Sequence, residues 1–462
     1  MMEMSEDLKS FFGENQEVIY ASAPGRLDVM GGIADYSGSL LLQMPIRQRT
    51  TVYLAHRSDN QLRVRSLTAL AANYTPEVAI SLDVVESDNL PDYGTFRQNI
   101  LSLSGGDWAI YVLGCFYLLA KEKKICFSGA DVLVQSEVPF GKGVSSSAAI
   151  EVATLMAINQ AWKINLDKLE LSILAQKVEN LIVGAPCGLM DQLSSYLGEH
   201  DKLLPIICQP VAVFPAIPIP TEINFIGVDS GIKHAVSGTA YTKVRVAAFM
   251  GYTIIAAALG ISPAQIAEAR TTGRKENLPF GGYLANIPVG QFRNKFAALL
   301  PDSLKGKDFK AQYGTIIDPV TEISDDEIYA VLPCTAHPIY ENERVNNFKN
   351  LLQNLANTTV NGDQDKLEEA GNLMYASHQS YTACGLGNAH TDELVQMVQA
   401  AGPKQGVFGA KITGGGSGGT VCILALGDLG IYTVQHIWES YAKKYQQEIT
   451  LFKGSSPGGF YS

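Results

Sequence analysis

The chain has no run of 18 or more uncharged apolar residues, which excludes an ordinary membrane-spanning helix. It has no Cys-x-x-Cys pair. Its seven cysteines are scattered, so neither a zinc knuckle nor a disulfide framework is indicated, and isolated thiols fit a reducing cytoplasm. Positive charge is scarce as well. A net charge of −11 and a pI near 5.2 argue against a general nucleic-acid binder, although a local phosphate site needs few charges. The first residues, Met-Met-Glu-Met-Ser-Glu-Asp, are acidic where a signal peptide is basic. No internal repeat and no low-complexity tail is present. What remains is 462 residues, 46% hydrophobic and 18% charged, enough for two or three domains with real cores. The expectation is a soluble cytoplasmic protein of enzyme size.

Glu17–Ala23, Leu40–Ile46, Thr50–His56 and Gln61–Ser66 read as strands joined by short turns, which favours antiparallel pairing. Helical periodicity marks Trp108–Lys121, Ala148–Ala161 and Asp167–Val183. Prolines at 205, 210, 215, 218 and 220 break any helix, which places a domain boundary near 215 and divides the chain into 1–215 and 216–462. The second half begins with a strand, Ile223–Asp229, and a helix from about Thr239 to Leu259. Residues 268–325 show no assignable pattern. Helices near 340–356, 363–378, 391–401 and 430–445, with a strand at Thr420–Leu426 and another at the end, complete an α+β pattern.

Four segments carry chemistry. Pro139-Phe-Gly-Lys-Gly-Val-Ser-Ser-Ser-Ala-Ala149 joins the strand candidate Ala130–Val138 to a helix opening near Ser146. Its glycines let backbone N–H groups converge on an anion, its serines add donors, and the helix end suits phosphate. It is neither a Walker loop nor a dinucleotide turn, and a simple helix cap is the competing reading. Ala23-Pro-Gly-Arg-Leu-Asp-Val-Met-Gly-Gly-Ile-Ala-Asp-Tyr-Ser-Gly38 reads as too polar for a core. Asp35 can accept from two vicinal hydroxyls of a sugar, and Arg26 can hold a phosphate or pair with a carboxylate; a solvated loop with a structural Arg–Asp pair is the alternative. In Gly184-Ala-Pro-Cys-Gly-Leu-Met-Asp-Gln-Leu-Ser-Ser-Tyr-Leu-Gly198, Asp191 is either a helix cap or a base for an attacking hydroxyl. Glu179, twelve residues earlier, is either a Mg²⁺ ligand or a solvated surface residue. Gly409-Ala-Lys-Ile-Thr-Gly-Gly-Gly-Ser-Gly-Gly-Thr420 permits close backbone approach to a ligand or another loop.

In this order and spacing the four segments resemble the GHMP kinases, and the galactokinase branch in particular. The marks are Ala23-Pro-Gly-Arg26, Asp35-Tyr36, Pro186-Cys-Gly-Leu-Met-Asp-Gln192, Ala240-Tyr241 and Ser377-His-Gln-Ser380. The resemblance spans about residues 18–460. It implies a domain like ribosomal protein S5 domain 2 followed by a ferredoxin-like domain, with the active site between them. It further implies that Asp191 is the catalytic aspartate and Arg26 its partner. Gly141, Lys142, Gly143, Val144, Ser145, Ser146 and Ser147 would wrap the phosphates of ATP. Ser147 and Glu179 would bind Mg²⁺, Trp108 and Tyr111 would flank adenine, and Asp35 and Tyr241 would contact the sugar.

One departure bears on substrate. Galactokinases read Gly-Glu-His-Thr-Asp where this chain has Gly31-Gly-Ile-Ala-Asp35. The glutamate that holds the C6 hydroxyl in the family is Gly32 here, and Ile33 can fill the apolar space where C6 would lie. A site built for a hydroxyl discriminates against its absence, so losing the acceptor undoes that preference. L-Arabinopyranose is the galactose ring without C6, and the segment Gly25–Ser39 resembles the kinase domain of plant L-arabinokinases, as do Gln176–Asn180 and Val244–Gly251. The expected activity is therefore an arabinokinase-like sugar 1-kinase using ATP and Mg²⁺. Galactokinase, another sugar 1-kinase such as a glucuronate kinase, and a non-catalytic sugar- and ATP-binding regulator are the other readings. Small molecules are the expected partners, in a monomer or homodimer.

Overall fold

The computed structural model describes residues 6–14, 16–69, 74–85, 90–233, 239–355 and 363–461. The strands of the first half are β1 (Ile19–Met30), β2 (Leu40–His56), β3 (Gln61–Ser66), β4 (Glu77–Ser81), β5 (Ala130–Ser136), β6 (Lys202–Cys208), β7 (Val211–Val213) and β8 (Ile217–Pro218). Those of the second half are β9 (Ile223–Asp229), β10 (Leu304–Lys305), β11 (Ile328–Tyr329), β12 (Val407–Ile412), β13 (Thr420–Leu426), β14 (Leu451–Phe452) and β15 (Phe460–Tyr461).

The first sheet runs β15-β1-β2-β5-β3-β4, with β6 on the far part of β2. Among the described residues β3 and β5 are its one parallel pair. Its apolar face packs on the helices Gly106–Lys123, Ser146–Ala161 and Lys168–Lys177. The helix Ser146–Ala161 has no polar stripe and is buried from Ala148 to Ile158, as expected of a helix enclosed on all sides. The second sheet runs β12-β13-β9-β14 and is antiparallel throughout.

β8 still pairs with β6, and β9 opens the second sheet, so the chain crosses between Pro218 and Ile223 rather than at 215. The last residues then return to the first domain. Ser456 Oγ donates to the Ile46 carbonyl (2.7 Å), Gly459 N to that of Tyr196 (3.1 Å), and β15 covers the open edge of β1. The segment 216–462 is thus one domain plus a strap over the other.

The segment 268–325 is built of the end of the helix Pro263–Thr272, several short turns and the helix Gly306–Tyr313. It packs in one cluster with Ile33 and Tyr36 and the helix Thr239–Ala258. Arg245 of that helix and Asp318 of the segment form a bidentate pair (2.8 and 2.8 Å), both almost wholly buried. The segment therefore buttresses the loop that carries Asp35. Among the described residues no helix is long and apolar enough to cross a membrane.

Candidate active site at the domain junction

The polar segment after Ala23 is not a surface loop. It continues β1 as far as Met30 and is core: Arg26, Asp28 and Asp35 are 2%, 0% and 2% exposed. Local composition misleads here because partners from both domains converge on these charges. Register shifts at Pro24/Arg26 and Asp28/Met30 bend the strand. At the first of them a Cβ on Gly25 would lie 2.4 Å from the Val144 carbonyl, and Arg26 N donates to that same oxygen (3.0 Å). The bulge thus ties β1 to the loop before the helix Ser146–Ala161.

Arg26 and Asp191 meet across 165 residues. Arg26 Nε and Nη2 both donate to Asp191 Oδ1, at 2.9 and 2.8 Å, and Nη1 donates to the Gly143 carbonyl at 2.7 Å. Asp191 Oδ2 has no partner among the described residues, and Asp191 lines a cleft enclosing about 730 Å³, part of it continuous with solvent. One oxygen is therefore held and the other is free to accept a proton.

Asp35 and Tyr241 line the same cleft. Asp35 Oδ1 accepts from the Tyr241 hydroxyl at 3.1 Å. Burial pushes the Asp35 carboxyl up to about 6, against the attraction of Arg245, and the negative charge of Asp191 adds to the rise. Gly188 completes this corner. A Cβ there would lie 1.6 Å from Asp35 Oδ2, so only glycine leaves room for the carboxylate. Gly188 was visible in the sequence only as part of a motif. The loop that carries it is fixed by Asn180, whose Oδ1 accepts from Cys187 N (2.8 Å), and by Gln176, which donates to the Cys187 carbonyl (3.2 Å).

The loop 141–147 opens on the cleft. Gly141, Gly143 and Ser145 have φ of 70°, 71° and 62°, a left-handed set that strains the non-glycine Ser145. Ser145 precedes the helix Ser146–Ala161 without capping it, and its buried Oγ has no hydrogen-bond partner. Uncapped helical N–H groups, an orphaned hydroxyl and a glycine-lined approach fit a phosphate chain. Ser147 and Glu179 line the same cleft, and Glu179 stands in a π-helical turn, Val178–Val183, that interrupts the expected helix Asp167–Val183. Glu179 accepts from Gln192 Nε2 (2.8 Å), and burial raises its carboxyl to about 7, with Asp191 adding to the rise. A hydroxyl and a carboxylate beside a phosphate site are the hard oxygen donors that Mg²⁺ takes.

Five expected site residues are placed differently. Lys142 turns away from the cleft, its Nζ 2.5 Å from Asp229 Oδ2 of the second domain, because that carboxylate is wholly buried and needs a counter-charge. Val144 contributes its carbonyl to Arg26 and buries its side chain. Trp108 is built into the core, its indole N–H donating to the Thr75 carbonyl at 2.7 Å, so of the expected aromatic pair only Tyr111 keeps appreciable exposed surface. Gly32 and Ile33 do not line the cleft. Ile33 is 1% exposed and packs in the second domain's core. Gly32 faces Tyr381: a Cβ at 32 would fall 1.5 Å from the Tyr381 hydroxyl. Tyr381 had no signal in the sequence beyond following Ser377-His-Gln-Ser380.

The glycine-dense segment meets the phosphate loop backbone to backbone. A Cβ on Gly419 would lie 3.0 Å from the Lys142 carbonyl, one on Gly414 3.0 Å from that of Gly143, and Thr420 Oγ1 donates to the Lys142 carbonyl (2.8 Å). The close approach is to another loop, and Gly415 adds to the cleft wall.

Comparison with known proteins gives this geometry a family. The GHMP kinases N terminal domain matches residues 110–199, the galactokinase galactose-binding signature residues 6–56, and the GHMP kinases C terminal domain residues 351–443. A galactokinase of Chloroflexus aggregans is 32% identical over 90% of this chain and 85% of its own length. The chain belongs to the GHMP kinases, in the galactokinase branch. It is an ATP-dependent sugar kinase of that type. The L-arabinokinase of Arabidopsis thaliana is 40% identical over 97% of this chain, which spans 46% of the plant protein's length. The crystal structure of Lactococcus lactis galactokinase complexed with galactose shares the fold, with a TM-score of 0.73 at 21% identity and 98% coverage of both chains.

Proposed function

We propose that this kinase phosphorylates the anomeric hydroxyl of a pentose, L-arabinose, from ATP. The observation that carries the reading is Gly32. Where the galactokinase pattern places a glutamate for the C6 hydroxyl, this chain has no side chain, and the Tyr381 hydroxyl fills the place a Cβ would need. Position 32, closed off from the cleft behind Tyr381, sends no acceptor toward a hexose's extra hydroxyl, and a pyranose without C6 loses nothing. The 40% identity to the plant L-arabinokinase supports the same substrate.

In this reading Asp35 and Tyr241 hold ring hydroxyls, and Asp191 Oδ2 accepts the proton of the anomeric hydroxyl while Arg26 fixes the carboxylate through Oδ1. The sugar oxygen bonds to the γ-phosphorus, the bridging bond to the β-phosphate breaks, and ADP leaves. Backbone N–H groups of the loop 141–147 and the helix end bind the phosphate oxygens where charge accumulates. Mg²⁺ on Ser147 and Glu179 would supply further charge neutralisation.

The test is kcat/KM for L-arabinose and D-galactose side by side, with ATP and Mg²⁺. A preference for L-arabinose is expected. A preference for D-galactose, favoured by the match to the galactose-binding signature, would mean that other residues hold C6. No turnover of either sugar, with ATP still bound, would point to a different sugar or to a binding protein without catalysis.

A further inference from the structure

Three features around Gly32 belong together. Gly32 has φ +36°, and a Cβ built on it would meet Tyr381 Oη at 1.5 Å, Tyr381 Cζ at 2.8 Å and Asp28 Oδ2 at 2.7 Å. The Tyr381 hydroxyl accepts from Ile33 N at 3.0 Å and donates to the Gly414 carbonyl at 3.0 Å, so both its capacities are used. Tyr381 itself is wholly buried, with His337 edge-on to its ring (5.4 Å between centroids) and Lys411 Nζ 5.3 Å from its ring centre.

The two backbone partners of that hydroxyl lie in the two loops that flank the cleft. Ile33 is in the 3₁₀ turn Gly32–Ser37, which carries Asp35 two residues on. Gly414 precedes Gly415 of the cleft wall, and a Cβ on Gly414 would stand 3.1 Å from Arg26 Nη2. One buried hydroxyl therefore sets the distance between the sugar-side carboxylate and the loop beside the Arg26–Asp191 pair. A side chain at 32 and a tyrosine at 381 exclude one another in this space.

From this we infer that Tyr381 is a positioning residue for sugar, and that Tyr381 and Gly32 form a mutually exclusive pair, in which the tyrosine holds its place only because position 32 has no side chain. The inference rests on the sugar-kinase reading for its kinetic part and on steric exclusion alone for its second part. Removing the hydroxyl leaves a buried N–H and a buried C=O unpaired and frees the turn that carries Asp35. Sugar recognition suffers first, because the loop 141–147 keeps its own ties to Arg26 and Thr420.

The experiment uses the full chain and five proteins: wild type, Tyr381→Phe, Gly32→Ala, Tyr381→Leu and Gly32→Ala/Tyr381→Leu. Tyr381→Phe is expected to raise the sugar KM by about tenfold or more while the KM for ATP stays within about twofold. An unchanged sugar KM, or equal rises in both constants, overturns the positioning role. Gly32→Ala is expected to lower the melting temperature sharply in the wild-type background and by less than half as much in the Tyr381→Leu background. An equal loss in both backgrounds overturns the pair. If wild type phosphorylates neither L-arabinose nor D-galactose, the substrate reading fails, and the melting-temperature cycle still decides the pair.

Discussion

Replacing Asp191 by asparagine removes the charge and the proton-accepting oxygen of the proposed base while keeping the shape of its side chain. Arg26 donates from Nε and Nη2 to Oδ1, and an asparagine oxygen in the same place accepts both. Arg26 keeps its third bond, to the Gly143 carbonyl, so the phosphate loop stays in position. What disappears is the free Oδ2, since an amide nitrogen there donates and cannot take a proton. Loss of a positioned base costs roughly 10²- to 10⁴-fold in rate, or about 2.7 to 5.4 kcal/mol of barrier. The proposed sugar contacts of Asp35 and Tyr241 are untouched, so both Michaelis constants should stay within about threefold. Steady-state ADP release with each substrate varied gives kcat and the two constants, and calorimetric titration with sugar gives affinity without turnover. A kcat within tenfold of wild type would falsify the assignment of Asp191 as proton acceptor. Loss of sugar binding in step with kcat would refute it too, by moving Asp191 into ground-state recognition. Asp191→Ala is the contrast. It strips the acceptor oxygen as well as the counter-charge from an arginine 3% exposed, and cutting one member of a buried pair costs about 3–5 kcal/mol, less here because Asp191 is 17% exposed. Both variants lose the counter-charge, but only alanine also leaves the Arg26 Nε and Nη2 donors without an acceptor, so the alanine variant should melt below the asparagine variant while both turn over slowly.

With Asp35 as the proposed sugar contact, sugar use should depend on pH. Its carboxyl titrates at about 6, so below that pH it holds a proton and accepts fewer hydroxyl donors; kcat/KM for sugar should rise about tenfold per pH unit up to pH 6 and then level, and Asp35→Asn should lose that limb. Because its folded value lies above the ordinary 3.8, its contribution to stability is present at low pH and lost as pH rises through 6; sugar-free Asp35→Asn should melt above wild type at pH 7.5, and an equal or lower melting point would contradict the burial argument. Glu179→Gln should raise the Mg²⁺ needed for half-maximal rate by at least about tenfold, measured by Mg²⁺ titration at saturating ATP, and an unchanged requirement would remove Glu179 from the metal site. Lys411→Met leaves Asp28 buried without its counter-ion at 2.6 Å, which costs about 3–5 kcal/mol, or at least ~6 °C in melting temperature; an unshifted melting curve would show that the pair contributes nothing.

The four chemical segments were legible because each needs unusual residues in a row. Glycines at positive φ, a serine run and an aspartate at a helix start leave a mark that survives without any contact map. The elements were legible for similar reasons, and most helices lie within a few residues of their periodic signal; the helix Val331–Leu355 begins nine residues before the expected 340 and runs through Pro338. What the pattern could not carry was long-range. Gly32 reads as a missing acceptor, and only the fold reveals Tyr381, 348 residues from its Ile33 partner, in the vacated space. Lys142 reads as a phosphate ligand until Asp229 appears beside it. The tail beyond Phe452 gives no local hint that it crosses back to β1.

Two buried ion pairs lie close along β1, and they differ in how far their carboxylate oxygens are committed. Asp28 and Lys411 are both 0% exposed. Asp28 Oδ1 accepts from Gln43 (2.7 Å) and Gly32 N (3.0 Å), Oδ2 accepts from Lys411, and its backbone N donates to Thr413. Both oxygens are committed, so this pair can join the two domains but cannot exchange a proton with a ligand. Two residues earlier on the strand, Arg26 is equally committed, yet its partner Asp191 is bound through one oxygen and lines the cleft. Side chains on a strand alternate between faces, and the register shifts at Pro24/Arg26 and Asp28/Met30 break that rhythm around both charges. On the proposed mechanism, a fully committed pair at the junction is expected to hold the loops around the open pair, and with them its free oxygen, in one place before substrate arrives. Weakening Asp28–Lys411 should therefore lower kcat for a reaction whose atoms it never touches, through the Gly32 N–Asp28 bond and the loop that bond holds.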